Sequence, residues 1–119
     1  MEVLYNENKT HYVVLVSSGY GAGWSTWGDE RLAYDKRVVE WYIAHSTQDF
    51  CDKVQGRNTP EYLMAVDFFS SIDFDTPYFG GYKPGMIRWV PVGKKWTIDE
   101  YDGYESLVYA DNIKWRSFT

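Results

Sequence analysis

Cysteine is nearly absent from this chain. Among 119 residues only Cys51 carries a thiol, so no internal disulfide and no cysteine-based zinc site can form. Histidine is almost as scarce. His11 and His45 fall in different predicted elements and lack the spacing of a metal-binding pair, so neither a metal nor a cofactor is expected. No apolar run reaches the length of roughly 18 residues that a spanning helix needs, which predicts no membrane partner. The first six residues lack a basic stretch followed by an apolar one and predict no secretory leader. With the lone thiol, these features predict a reducing, cytoplasmic setting. Positive charge is also in deficit: 12 Lys and Arg face 17 Asp and Glu, for a net charge of −5. That excludes a broad electrostatic grip on nucleic acid, which depends on many cationic contacts to phosphates. A small anion held by a few local donors stays compatible with it. Repeats, linkers and low-complexity segments are absent, and the length suits one domain spanning 1–119.

Aromatic residues are abundant, with 11 Tyr, 6 Trp and 6 Phe. They bring large apolar area and often a polar tip. Part of that supply is expected in the core and the surplus on a binding surface, because such rings are enriched at interfaces and stack on bases.

The pattern along the chain predicts an α+β domain. Its sheet is antiparallel or mixed, with about four to six strands, a C-terminal β-meander and two to three helices on one face. A short apolar run at 3–5, a turn at 6–10 and a continuous β-branched stretch at 11–17 read as a hairpin whose second strand is buried. A helix is expected after Gly28, with Asp29 and Glu30 at its start and Tyr34, Val38, Trp41 or Tyr42, and His45 on one face. A short helix follows over 47–54. Another begins at Thr59-Pro60-Glu61, where Thr59 can cap and Pro60 suits the first helical position. Its apolar stripe is Tyr62, Ala65, Val66, Phe69 and Ile72. Residues 73–85 read as a long aromatic loop, and loops of that length are often functional.

Strands are expected at 86–92, 95–101, 104–110 and 112–118. Two-residue turns at Gly93-Lys94 and Asp102-Gly103 would join the first three. That register sets Trp89 against Ile98, Pro91 against Trp96, Arg88 against Asp99, Ile98 against Leu107, and Trp96 against Tyr109. One face collects Ile87, Trp89, Trp96, Ile98, Leu107 and Tyr109.

The most distinctive segment is the glycine-rich loop at 18–28. Its glycines permit close backbone approach, and successive backbone N–H groups before a helix make an anion site. The candidate ligand-binding residues are Ser18, Gly19, Tyr20, Gly21, Gly23, Trp24, Ser25, Thr26 and Trp27, with Lys36 and Arg37 following as charge partners. The loop matches neither a dinucleotide fingerprint nor a phosphate loop, and Ser25 lacks the setting of a hydrolase nucleophile. A purely structural role, tight turns with tryptophans plugging the core, fits the same residues.

Three blocks carry a resemblance: Ser18 through Trp27, Ala33-Tyr34-Asp35-Lys36-Arg37-Val38-Val39, and Glu100-Tyr101-Asp102-Gly103-Tyr104-Glu105. Together they resemble small phage and prophage accessory proteins. The chain departs at Gly28, where that group carries asparagine, which bears on the cap of the following helix. The resemblance implies a setting in a host cell, and antagonism of a host defence factor, rather than any particular chemistry.

Asp99, Glu100, Asp102 and Glu105 cluster at the last hairpin, and the register sets Glu100 directly opposite Glu105. Facing like charges cost free energy unless solvated or neutralised. The cluster is either a solvated tip or a seat for a cation or a partner's arginine; its spacing is not that of a calcium loop. Cys51, flanked by Asp49 and Asp52, reads as inert packing.

Two binding functions follow. In one, the loop at 18–28 sequesters a nucleotide-like ligand, its amides on phosphate and Trp24 or Trp27 on the base. In the other, the chain inhibits a host protein by direct contact through Tyr78, Phe79 and Tyr82 of the aromatic loop and Glu100, Asp102 and Glu105 of the acidic tip. A small hydrolase is a third class, but no nucleophile, base and oxyanion donor assemble at a known spacing, so no catalytic residue is assigned. A homo-oligomer is compatible with each reading.

Overall fold

The computed structural model describes residues 2–110. Strand β1 (His11–Leu15) is followed by the glycine loop and a short 3₁₀ turn, Glu30–Ala33. Helices α1 (Lys36–Ala44), α2 (Gln48–Val54) and α3 (Pro60–Ser71) come next. A second 3₁₀ turn, Phe79–Gly81, leads to strands β2 (Ile87–Pro91), β3 (Trp96–Tyr101) and β4 (Tyr104–Tyr109). The class is α+β, as the pattern predicted, but the strands form two antiparallel pairs, β1–β2 and β3–β4, instead of one sheet.

Strand β1 explains the difference. Val13, Val14, Leu15 and Val16 are all fully or almost fully buried, so both faces of this strand are covered, as its unbroken apolar run requires. Val13 and Leu15 face a large core with Trp24, Leu32, Val38, Val39, Tyr42, Phe69 and Tyr82. Val14 and Val16 join a second cluster with Ala33 and Val90, over which Trp96, Ile98, Leu107 and Tyr109 pack. The β3–β4 hairpin is therefore a lid on the outer face of the β1–β2 pair. β2 takes β1 as its partner, Val14 facing Arg88 and Leu15 facing Ile87. The expected pairings of Trp89 with Ile98, Pro91 with Trp96 and Arg88 with Asp99 across Gly93-Lys94 are not made. Trp89, assigned to the apolar face, is half exposed. The register across Asp102-Gly103 is as expected: Trp96 faces Tyr109, Ile98 faces Leu107, and Glu100 faces Glu105. Both turn residues have positive φ, 52° and 86°, as a type I′ turn requires.

The first hairpin reduces to one bridge, Tyr5 with Tyr12, its turn closed by Asn6 side-chain bonds to Thr10 and His11. The expected strand at 112–118 lies outside the described residues. The single helix expected after Gly28 is split. Asp29 caps the 3₁₀ turn and Asp35 caps α1, each carboxylate accepting the backbone N–H two residues on. Thr47 and Thr59 cap α2 and α3, with Pro60 in the first turn of α3. Ala65 and Phe69 are the buried stripe of α3, flanked by Tyr62 and Ile72.

Candidate functional site

The glycine loop is built around a carboxylate from its own chain. Period-two alternation puts Glu105 on the same face of β4 as Leu107 and Tyr109, which face the core, so its side chain is fully buried. One oxygen accepts the Ser17 N–H at 2.9 Å. The other accepts the Trp24 N–H at 2.8 Å, the Thr26 N–H at 3.1 Å and the Thr26 hydroxyl at 2.6 Å. The Glu105 N–H in turn donates to the Ser17 carbonyl at 2.9 Å. The anion-binding geometry expected of this loop is present, and its anion is internal. Glu105, expected at an exposed acidic tip, is the buried staple between hairpin and loop. Burial there corrects its placement as a partner-binding residue.

Backbone packing leaves no slack at this junction. A Cβ on Gly103 would lie 2.4 Å from the Ala22 nitrogen, and one on Gly81 would lie 2.4 Å from the Gly23 carbonyl oxygen. The Gly21 N–H donates to the Asp102 carbonyl at 2.8 Å. Ser17 donates its hydroxyl to the Gly81 carbonyl at 2.7 Å. Hairpin, glycine loop and aromatic loop thus close on one another.

The two tryptophans of the loop separate. Trp24 is buried among Phe69, Phe79 and Tyr82, its indole N–H donating to the Leu32 carbonyl at 2.9 Å. It offers no face to a base. Trp27 is partly exposed and lies nearly parallel to Tyr78, 6.3 Å between ring centroids. Gly23 and Ser25 are buried, while Tyr20, Gly21 and Thr26 reach the surface. Lys36 and Arg37 are not at the loop. They line a separate cleft with Glu2, Arg31, Asp35 and Glu40, where Lys36 faces Glu2 at 3.8 Å and Arg37 pairs with Asp35 at 3.0 Å. Burial pushes the Asp35 carboxyl up, but its bonds from Arg37 outweigh this and hold it below the usual carboxylate range.

The aromatic loop is mostly core. Phe74, Phe79 and Tyr82 are buried, and Tyr82 donates its hydroxyl to the His45 carbonyl at 2.6 Å. Burial pushes that phenol far above its ordinary range. Of the three residues assigned to partner contact here, only Tyr78 is exposed, at 61%. Phe79 and Tyr82 are corrected to packing residues. They are the rings on which Trp24 and Trp41 close.

What the outer end of the molecule does present is a cleft of about 310 Å³ lined by Tyr20, Asp99, Glu100, Tyr101, Tyr104 and Ser106. Tyr20 packs on Tyr104 with centroids 5.1 Å apart, joining loop to hairpin. Tyr101 is 77% and Tyr20 71% exposed. Glu100 accepts the Gly103 N–H at 2.7 Å. None of Asp99, Glu100 and Asp102 has a cationic partner among the described residues. Sequence reasoning found the carboxylates and Tyr20, but not Tyr101 and Tyr104 as their neighbours. The hairpin register, which sets Tyr101 against Tyr104 at the turn, was the signal available.

No group of three or more His, Cys, Asp or Glu suited to a metal gathers among the described residues, and no helix among them is long and apolar enough to cross a membrane. Comparison with protein-family models, curated proteins and solved structures finds no match to this chain.

Proposed function

We propose that this chain is a non-enzymatic binding protein whose acidic, aromatic hairpin end engages a basic surface of a partner protein. The observation that carries the reading is the cleft in which three tyrosine rings meet Asp99 and Glu100 without an internal cation. A lysine or arginine side chain suits it on two counts: rings attract a cation over their faces, and carboxylates accept its N–H groups. Exposed tyrosines also bring contact area at small conformational cost, the usual property of interface anchors. The resemblance to phage accessory proteins makes a host protein the partner to seek, and inhibition by occupancy the outcome. The alternative, nucleotide sequestration by the loop amides, has less in its favour, since Glu105 already holds the Ser17, Trp24 and Thr26 amides.

The test is a titration with arginine- and lysine-rich peptides, followed through the tyrosine ring resonances. Saturable binding is expected, weakening with salt and by about two- to fivefold in Tyr101→Ala, the scale of one exposed cation–ring contact. Equal affinity in Tyr101→Ala and in Asp99→Asn, or no binding at about millimolar peptide, refutes the reading.

A further inference from the structure

The geometry points to a second, separate site: Ser18, Lys83 and Arg88 form a seat for the phosphate group of a small molecule. Lys83 and Arg88 approach the start of the glycine loop from the segment before β2 and from β2 itself, and both end on Ser18. The Lys83 ammonium donates to the Ser18 carbonyl at 3.1 Å, and an Arg88 terminal nitrogen donates to the Ser18 hydroxyl oxygen at 3.2 Å. Neither cation has a carboxylate partner among the described residues. Two like charges drawn to one residue repel each other, and no ion pair among the described residues offsets them. An anion placed between them does so.

The seat is pre-formed. Tyr42 donates its hydroxyl to the Lys83 carbonyl and accepts the Met86 N–H at 3.0 Å, which fixes the backbone under Lys83. The other terminal nitrogen of Arg88 donates to the carbonyls of Gly85 at 2.8 Å and Ile87 at 3.1 Å, which sets the plane of the guanidinium. Gly19 lies beneath this ammonium: a Cβ there would meet the Lys83 ammonium nitrogen, the free end of a flexible side chain, and would push it aside. Since Ser18 accepts from Arg88, its hydroxyl proton remains to donate, and both cations keep further N–H groups. All three side chains are partly exposed and reachable. A planar guanidinium, a point charge and a hydroxyl gathered about one residue suit a tetrahedral dianion better than a single carboxylate. The site is distinct from the Glu105 nest and does not depend on the proposed protein contact.

The experiment is an NMR or calorimetric titration of the intact chain with inorganic phosphate and with adenosine monophosphate, at constant ionic strength set by chloride. Both probes are expected to saturate below about 10 mM, within the ordinary range of weak binding, with the Ser18, Gly19 and Arg88 amides shifting. Lys83→Gln and Arg88→Gln are each expected to weaken binding at least about tenfold, the loss of one charge-assisted pair. Gly19→Ala keeps every charge but displaces the ammonium, and is expected to weaken binding without lowering the salt sensitivity of the remaining contact. It also guards against an Arg88 variant that merely loosens the loop. Absence of saturation by either probe, or affinities unchanged in both Lys83→Gln and Gly19→Ala, overturns the assignment.

Discussion

Replacing Glu105 by alanine removes the one carboxylate on which hairpin and glycine loop meet. The Ser17, Trp24 and Thr26 amides and the Thr26 hydroxyl, bonded at 2.6–3.1 Å, lose their acceptor together. A buried donor left unpaired costs about 1–3 kcal/mol. Partial entry of water into the vacated space reduces the sum, and a destabilisation of about 3–5 kcal/mol is expected, the scale of breaking a buried charge-bonded network. Glu105→Gln keeps the shape and one oxygen. If that oxygen faces the Trp24 and Thr26 donors, its NH₂ group meets the Ser17 N–H, donor against donor, and about 1–3 kcal/mol is lost. The control is the residue directly across the ladder. Glu100 is exposed and accepts one bond, from the Gly103 N–H, so Glu100→Ala is expected to cost under about 1 kcal/mol. Urea unfolding of the three variants gives the comparison, with an unchanged slope showing that stability alone has moved. Glu105→Ala and Glu100→Ala within about 0.5 kcal/mol of each other would refute the staple.

Two further outcomes follow from the electrostatics. Burial, then the charge of Asp52, pushes the Cys51 thiol up to about 11, so a thiol reagent at pH 8 is expected to label the chain only as fast as it opens; rapid labelling of folded protein would contradict this. The Asp29 and Asp35 carboxyls are held below their ordinary range, Asp29 by its bond from Arg31 and Asp35 by its bonds from Arg37 against the opposing effect of burial. Their contribution is complete above the unfolded-state value near 4 and is lost as pH falls through the lower folded values. Asp35→Asn is therefore expected to flatten the acid limb of a melting-temperature profile below about pH 4, and an unchanged acid limb would count against it.

Local signals carried much of this fold into the sequence. Thr59-Pro60-Glu61 marked the start of α3, and Asp102-Gly103 set a register that holds from Trp96 to Tyr109. The partner of β2 was not legible, because β1 and the loop side of Gly93-Lys94 compete for it on tertiary grounds. A strand with Val13, Val14, Leu15 and Val16 all buried needs cover on both faces, and one hairpin partner cannot supply it. That the loop's amides would gather toward an acceptor was legible in its glycines and hydroxyls. That the anion would be Glu105 was written in the same alternation that put Leu107 and Tyr109 inside, but the clustering of four acids at the turn suggested a solvated tip. The long aromatic segment read as a surface because it lacks periodicity. Phe74, Phe79 and Tyr82 are instead inserted individually between α1, α3 and Trp24, a pattern that no local window reveals.

The pairing of β1 with β2 bears on how the chain is made. Strand β1 leaves the ribosome before its ladder partner, which follows all three helices and the aromatic segment. Until then Val13 and Leu15 can pack on the helical core, but Val14 and Val16 lack Val90 and the β3–β4 rings that complete their cover. Such long-range closure is slow, and the waiting strand is adhesive. The β3–β4 hairpin closes locally, but it can seat only on a completed β1–β2 surface. Translation arrested before Ile87 would therefore leave a nascent product prone to clumping, because the cover for Val14 and Val16 is encoded downstream of every helix.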